Sequence, residues 1–195
     1  MWQNSALSDA KRLRESIPQL PEAVANPFLI IMSGLPGTGK SYLSRKLAER
    51  LPCVVLTSDA LRKILFPTPA YDVRENQRLF AALPVLIEDF LGRNISVLMD
   101  ATNLVEHHRE QLYRIADRLR LKLIIVQVEA PPDVVQERLK ARLNNADQQD
   151  FSDADLGVYQ KMKTSKQKIY RNHFVVDTSK DIAPAVAKIV REAKR

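Results

Sequence analysis

A glycine-rich loop near the start of the chain carries the residues whose types and spacing best fit a chemical role. Gly34, Gly39, Lys40 and Ser41 match the pattern G-x-x-x-x-G-K-[ST] directly after the apolar run 28–32. Glycine opens backbone angles that other residues avoid, so successive amide groups can point inward and hold phosphate oxygens. Because a buried-strand pattern precedes the loop and a helical pattern follows it, the motif predicts a phosphate-binding loop.

Each residue type in this loop has a task in nucleotide binding. The Lys40 ammonium is placed to reach the β- and γ-phosphates, and the Ser41 hydroxyl is a ligand for Mg²⁺. The helix that begins near Gly39 adds the positive end of its dipole. We therefore expect ATP and Mg²⁺ as cofactors. The predicted nucleotide-binding residues are Gly34, Leu35, Pro36, Gly37, Thr38, Gly39, Lys40 and Ser41.

A carboxylate and a guanidinium follow the second apolar run, residues 53–57. Asp59 and Arg62 stand three residues apart, which places them on one face of a helix start. A phosphoryl acceptor needs a carboxylate that orients its hydroxyl and takes the proton, and an arginine can hold the acceptor or the transferred phosphate. The spacing predicts these catalytic roles for Asp59 and Arg62. The alternative is that Asp59 complements the helix dipole and Arg62 only pairs with it.

Another acidic residue, Asp100, directly follows the third apolar run, residues 95–99. An aspartate at this place in a phosphate-binding fold commonly supports Mg²⁺ directly or through water, so Asp100 joins Ser41 as a predicted metal residue. Asn103 and Glu106 have the spacing of a capping box, which predicts that Asn103 caps the next helix. Arg109 lies one turn into that helix. Its position in the sequence is equally consistent with a side chain in the crevice and with an ordinary side chain on the surface.

A second basic pair lies in a segment with the features of a lid. Arg138 and Arg142 are one helical turn apart and precede the polar stretch 144–150. Arginines on a closing segment can clamp phosphates and exclude water, which prevents loss of ATP to hydrolysis. We predict a helical lid at about 138–155 with both arginines in catalytic roles. A solvent-exposed helix with ordinary charges is the alternative.

Short apolar runs alternate with longer helical patterns along the chain, and this order predicts an α/β fold with a parallel sheet between helices. In such a sheet, ligands bind beyond the carboxyl ends of the strands, where the acidic residues above lie. Pro84 is expected to kink its helix, and Pro132 suits a first helical position. The predicted strands are 28–32, 53–57, 95–99, 121–128 and 173–176. The predicted helices are 40–50, 59–65, 72–91, 104–119, 132–143, 155–170 and 181–193, with another in the first 26 residues.

Length and composition fit one domain, since 195 residues with 45% apolar side chains can build one sizeable core. We expect an N-terminal helical extension over 1–26 and the main domain over 27–195. Apolar runs of about five residues are too short for a membrane span, and the first residues lack the features of a secretory signal. We therefore expect a cytoplasmic protein with no membrane partner. The lone Cys53 is expected to be a small core residue.

The charge balance favours an anionic partner. The net charge is +7, and ATP, phosphorylated metabolites and nucleic acid all satisfy it. Much of the excess lies between 161 and 171 and in the C-terminal tail, where solvated helix faces explain it as easily as a nucleic-acid footprint does. Aromatic residues do not interleave with these basic residues in a stacking pattern, which favours the solvated faces.

Taken together, the motifs resemble those of compact P-loop kinases of the polynucleotide-kinase, zeta-toxin and chloramphenicol-phosphotransferase type. The resemblance implies a three-layer P-loop NTPase fold with five parallel strands in the order 2-3-1-4-5. It also implies that Asp59 is the general base, that Arg62 contacts the acceptor or the phosphate, and that the lid arginines are clamps. The stretch 66–78, with Tyr71, Arg74 and Arg78, lies where such kinases hold the acceptor. The motifs that carry the resemblance are the loop 34–41, Asp59 with Arg62, the stretch 100–103, and Arg138 with Arg142.

These observations favour an ATP- and Mg²⁺-dependent kinase that moves the γ-phosphate to a hydroxyl group. The acceptor is a small molecule or a polynucleotide 5′-hydroxyl, and the short chain favours the small molecule. The second hypothesis is a regulatory or RNA-associated module that binds ATP without transferring phosphate. Asp59 distinguishes the two, because a switch has no need of a base that faces an acceptor pocket. The sequence leaves open the choice between ATP and GTP, the oligomeric state and the role of residues 1–26.

Overall fold

The centre of the protein is a parallel sheet of five strands in the order β2-β3-β1-β4-β5. The structure is a computed structural model that describes residues 2–144 and 156–195, with side chains for 5–141 and 156–195. The predicted fold class and strand order are confirmed. The strands are β1 (Phe28–Ser33), β2 (Val54–Thr57), β3 (Val97–Asp100), β4 (Lys122–Glu129) and β5 (Phe174–Asp177).

Helices connect the strands and cover both faces of the sheet. Most lie within two residues of their predicted bounds, and Pro132 is the first residue of its helix, as expected. The predicted helix 155–170 is wrong in its second half, because the helix ends at Lys163 and the chain continues without helical structure to 170. The helices are α1 (Trp2–Glu15), α2 (Lys40–Ala48), α3 (Ser58–Leu65), α4 (Val73–Gly92), α5 (Glu106–Leu119), α6 (Pro132–Asn144), α7 (Leu156–Lys163) and α8 (Ala183–Ala193).

Two apolar cores lie on opposite faces of the sheet because side chains alternate along the central strand β1. Leu29 and Ile31 face a core that α4 and α5 complete, with Phe90 fully buried in it. Ile30 and Met32 face a second core that α2 and α8 complete. The result is three layers, helix on sheet on helix, and the functional side chains lie at the carboxyl edge of the middle layer.

The first helix, α1, packs on α4 and α3 beside the first core. Ala10 and Leu13 bury their side chains there. Helix α4 runs through Pro84 without ending, and the kink expected at this proline stays a prediction. Among the described residues, no helix combines the length and the apolar character that crossing a membrane requires.

Candidate active site

An open cleft of about 830 Å³ lies at the carboxyl ends of β1, β2 and β3. Parallel strands place their carboxyl ends at one edge, so residues far apart in sequence meet there. The cleft brings together the phosphate-binding loop, the start of α3, the end of β3 and α6. The predicted site residues that line it are Pro36, Gly37, Gly39, Lys40, Ser41, Asp59, Arg62, Asp100 and Arg138.

The loop 34–41 has the backbone conformation that its glycines allow. Gly37 and Gly39 have φ values of 77° and 86°, in the left-handed region that residues with a side chain seldom adopt. The Thr38 hydroxyl donates to the Leu35 carbonyl at 2.8 Å, and the Lys40 ammonium donates to the same oxygen at 2.9 Å. The loop therefore curls around one carbonyl, and its lysine lies at the base of the cleft.

Two glycines of this loop are required by close packing. A Cβ atom at Gly34 would lie 2.5 Å from the Val128 carbonyl oxygen, and one at Gly39 would lie 2.9 Å from Thr178 Oγ1. Thr178 is buried and donates its hydroxyl to the Thr38 carbonyl at 2.7 Å. The residue directly after β5 thus supports the loop that follows β1.

The two predicted carboxylates come from neighbouring strands. Asp100 ends β3 and is 4% exposed, and its register partner on β2 is Thr57. Asp59 lies two residues beyond Thr57, in the first turn of α3, and is half-buried at the cleft. Register therefore places both carboxylates on the same side of the phosphate-binding loop.

Arg62 is 4% exposed, and its hydrogen bonds join it to α4. Its guanidinium donates to Asn76 Oδ1 at 2.5 Å and to a Glu75 carboxylate oxygen at 3.4 Å. Burial of an arginine requires such partners, since an unpaired charge away from water is costly. Its Nε is buried without a hydrogen-bond partner among the described residues, and the Tyr71 ring lies 5.0 Å from the guanidinium carbon.

Asn76 lines the cleft and Glu75 supports it through Arg62 and Tyr71, and neither residue was predicted from the sequence. The Glu75 carboxylate accepts the backbone N–H groups of Ala70 and Tyr71, each at 2.8 Å. It thereby fixes the loop 66–72, which brings Tyr71 to the cleft with a φ of 54°. The available signal was local: Asp72 and Glu75 have capping-box spacing, and Asp72 does cap α4 by accepting the Glu75 N–H.

Phe80 of α4 lines the cleft together with Tyr71 and Asn76. The His108 ring of α5 lies behind it, with the two ring centres 4.9 Å apart. Burial lowers the pKa of the His108 imidazole, and the neighbouring His107 lowers it further.

Arg138 of α6 lies against the phosphate-binding loop. Its guanidinium donates to the Thr178 hydroxyl at 2.8 Å and to the Thr178 carbonyl at 2.9 Å. Val135 and Leu139 of the same helix pack against Gly37, where a Cβ atom would lie 3.0 Å from each. Helix α6 carries Arg142, but that side chain and the predicted lid segment 145–155 lie outside the described residues.

Two expectations about the stretch after β3 are wrong. Asn103 does not cap α5: its φ is 43°, its amide donates to the Met32 carbonyl at 2.8 Å, and the capping position is Val105. Arg109 is neither in the crevice nor at the surface, because its side chain is fully buried. It donates to the Asn103 carbonyl at 2.6 Å and to the Lys168 carbonyl at 2.9 Å.

The donor set around Lys40 fits Mg²⁺. Ser41 and Asp100 line the same cleft and offer a hydroxyl and a carboxylate oxygen, which are ligand types that this hard cation accepts beside phosphate oxygens and water. Elsewhere in residues 2–144 and 156–195, no group of three or more His, Cys, Asp or Glu side chains is arranged to hold a metal ion. A magnesium ion would thus be held by two protein ligands and the nucleotide.

The sheet order, the loop geometry and the cleft define a P-loop NTPase with a kinase-like fold. A model of the AAA domain family matches residues 29–169, and the chain belongs to this family. The match includes the phosphate-binding loop, Asp59, Arg62, Asp100 and Arg138.

Among characterised proteins, the chain is 28% identical over 116 residues to the L-seryl-tRNA(Sec) kinase of Methanococcus maripaludis. This alignment covers 57% of the chain and 44% of the relative. The chain is also 32% identical over 108 residues to a Kti12 homologue of Mus musculus, and this second alignment covers 53% of the chain and 31% of that relative. The chain thus spans less than half the length of these two proteins.

Two solved structures illustrate the shared fold. The Chaetomium thermophilum Kti12 in complex with ADP-AlF3 superposes with a TM-score of 0.67 at 19% identity, covering 84% of this chain and 96% of that one. The Mycobacterium tuberculosis APS kinase CysC in complex with AMPPNP and APS gives a TM-score of 0.65 at 15% identity, covering 87% and 99%. At these identities the likeness concerns the fold.

Proposed function

We propose that this protein is an ATP- and Mg²⁺-dependent kinase that transfers the γ-phosphate to a hydroxyl group. The observation that carries the proposal is the presence of Lys40, Asp59 and Asp100 on one cleft. A phosphate-binding loop needs only the first and third of these to hold a nucleotide with its metal ion. A carboxylate at Asp59 adds the group that phosphoryl transfer to an alcohol requires.

In the proposed reaction, the amide groups of loop 34–41 and the Lys40 ammonium hold the β- and γ-phosphates. The acceptor oxygen forms a bond to the γ-phosphorus while the bond from that phosphorus to the β–γ bridging oxygen breaks, and ADP leaves. The Asp59 carboxylate orients the hydroxyl and takes its proton. Ser41 and Asp100 would hold Mg²⁺, which would neutralise charge on the phosphate oxygens.

The arginines are assigned by their contacts. Arg62 is proposed to hold the acceptor or the transferred phosphate, since Glu75 and Asn76 fix its terminal nitrogens at the wall of the cleft. Arg138 is proposed to stabilise the phosphates from α6, where its hydrogen bonds to Thr178 keep it beside the loop. Arg142, one turn further on, is proposed as the second clamp on a lid over 138–155.

The relatives support the reaction class. The Methanococcus relative is named as a kinase, and a structure with the same fold is an APS kinase in complex with a nucleotide analogue and APS. We propose a small molecule or a polynucleotide 5′-hydroxyl as acceptor, and the narrower kinship to polynucleotide kinase, zeta toxin and chloramphenicol phosphotransferase belongs to the same proposal. We also propose a cytoplasmic location, a main domain over 27–195 and a helical extension over 1–26.

A second function is favoured by one observation. The chain is as similar to the Kti12 homologue as to the kinase, with 32% and 28% identity over stretches of comparable length. A nucleotide-binding regulatory or RNA-associated module would use the same loop and metal residues without an acceptor. Transfer of phosphate distinguishes this module from a kinase.

The test is transfer of labelled γ-phosphate from Mg·ATP to two acceptor pools, a small-metabolite extract and 5′-hydroxyl oligonucleotides. The wild type and Asp59→Asn are compared, with nucleotide binding measured on the same preparations. Label in one pool that is lost in Asp59→Asn, while ATP binding persists, supports the kinase and names its acceptor class. ATP binding without transfer to either pool supports the regulatory module instead.

A further inference from the structure

The N-terminal helix α1 lies outside the stretch that the family model matches, yet it contacts the side of the cleft that would hold an acceptor. Asp9 of α1 is 6% exposed, and its carboxylate accepts two hydrogen bonds from Arg78 of α4, at 3.0 Å and 2.7 Å. Two parallel contacts of this kind fix both the distance and the orientation of an arginine. The pair therefore fastens α1 to the first half of α4.

Arg78 reaches from this pair to the loop 66–72. Its guanidinium carbon lies 5.1 Å from the centre of the Phe66 ring, a favourable position for a cation over an aromatic face. Phe66 is the first residue after α3, and its N–H donates to the Arg62 carbonyl at 2.8 Å. Arg12 of α1 donates to the Leu65 carbonyl, one residue earlier. Arg12 of α1 and Arg78 of α4 therefore both contact the chain where α3 ends and the loop 66–72 begins.

The other end of the loop is held from α4 as well. Glu75 binds the amides of Ala70 and Tyr71, and Tyr71 lines the cleft beside Arg62. The loop 66–72 is therefore anchored at Phe66 through Asp9 and Arg78, and at Tyr71 through Glu75. If either set of contacts is lost, the loop 66–72 is held at one end only.

We propose that α1 supports the acceptor side of the cleft, and that Asp9 and Arg78 are positioning residues that hold the loop 66–72 in place through Phe66. This inference rests on the proposed function for its catalytic consequence. Neither residue lines the cleft, so their effect on catalysis passes through the loop. The hydrogen bonds and the ring contact of this pair lie on the acceptor side, whereas loop 34–41 forms the nucleotide side.

The first test is amide hydrogen exchange on the full chain. Asp9→Asn is compared with Glu15→Gln, which makes the same charge change on α1 in an exposed pair with Lys11. We expect Asp9→Asn to speed exchange at Phe66, Ala70 and Tyr71 at least about threefold and to leave loop 34–41 unchanged. Glu15→Gln should change neither region. Equal acceleration across the whole chain, or none at the three amides, would overturn the proposal.

A second measurement separates positioning from a general loss of stability. Arg78→Met and the double variant Asp9→Asn/Arg78→Met complete a double-mutant cycle. If the two residues act as one pair, amide exchange in loop 66–72 is no faster in the double variant than in the faster of the two single variants. Additive effects on loop exchange would contradict the pair. With an acceptor in hand, the acceptor KM should rise about threefold or more while the KM for ATP stays unchanged. If wild type transfers no phosphate, the proposed function fails and the exchange data alone decide the role of α1.

Discussion

Thr57 and Asp100 are register partners across β2 and β3, and this pairing is what brings the second carboxylate, Asp59, to the same side of the cleft as Asp100. A shift of one residue in the pairing would turn the side chains of one strand to the other face of the sheet.

Gly39→Ala should damage the phosphate-binding loop. The φ of 86° is costly for any residue with a side chain, and the new methyl group would lie 2.9 Å from Thr178 Oγ1. We expect a loss of about 1–3 kcal/mol in the free energy of unfolding and loss of ATP binding. Urea denaturation and titration with labelled nucleotide measure the two effects.

Gly92→Ala is the matched control for this prediction. In the part of the chain that the structure describes, a Cβ atom at Gly92 meets nothing within 4 Å, and the residue is the last of α4. The substitution should be neutral or stabilise the protein by up to about 1 kcal/mol, because alanine has the higher helix propensity. Equal effects of the two alanines would refute the assignment of Gly39 to a strained, close-packed turn.

Thr178→Val should weaken nucleotide binding. The substitution keeps the shape of the side chain but removes the hydroxyl that accepts from Arg138 and donates to the Thr38 carbonyl. We expect the Kd for ATP to rise about fivefold to thirtyfold, as one or two hydrogen bonds are lost at about 1 kcal/mol each. Thr178→Ser, which keeps the hydroxyl, should bind like wild type. A normal Kd for Thr178→Val would show that this link does not support the loop.

Arg109→Met should destabilise the whole fold. The substitution removes one donor from each of the Asn103 and Lys168 carbonyls and removes the partner of Glu106. We expect a loss of about 3 kcal/mol in the free energy of unfolding. Arg114→Met, on the same helix in an exposed pair with Glu110, should change it by less than about 0.5 kcal/mol. Similar midpoints in urea for the two variants would contradict the anchoring role.

Cys53 should react slowly with iodoacetamide in the folded protein. Burial raises the pKa of its thiol from 9.0 to about 11, so the thiolate fraction at pH 8 is about a hundredfold lower than in the unfolded chain. The stability that the neutral thiol contributes is complete below pH 9 and is lost as the pH rises towards 11. Alkylation at pH 8 with and without urea checks the difference. Equal rates in the two conditions would rule out the raised pKa.

Local patterns sufficed for the phosphate-binding loop and the strands, because each rests on contiguous residues. The carboxylates at the strand ends followed from the general position of ligand sites in parallel sheets. Arg109 was missed because its partners include the Lys168 carbonyl, 59 residues away, and nothing in the sequence marks a backbone carbonyl as a partner.

The same long-range contact explains the error over 155–170. Gln167 donates its N–H to the Leu104 carbonyl, and its side chain accepts the Glu106 N–H at 2.7 Å. These bonds, with those of Arg109, hold the chain after α7 in a non-helical conformation. Helical periodicity in that stretch was real in the sequence, but tertiary contacts replaced the helical hydrogen bonds.

The measurement that tests the central claim most directly is γ-phosphate transfer by Asp59→Asn, with the Kd for Mg·ATP determined on the same sample. The substitution keeps the size of the side chain and removes its capacity to take a proton. We predict that transfer falls at least about a hundredfold while the Kd changes by less than about threefold. Transfer at the wild-type rate would contradict the assignment of Asp59 as the base of a kinase.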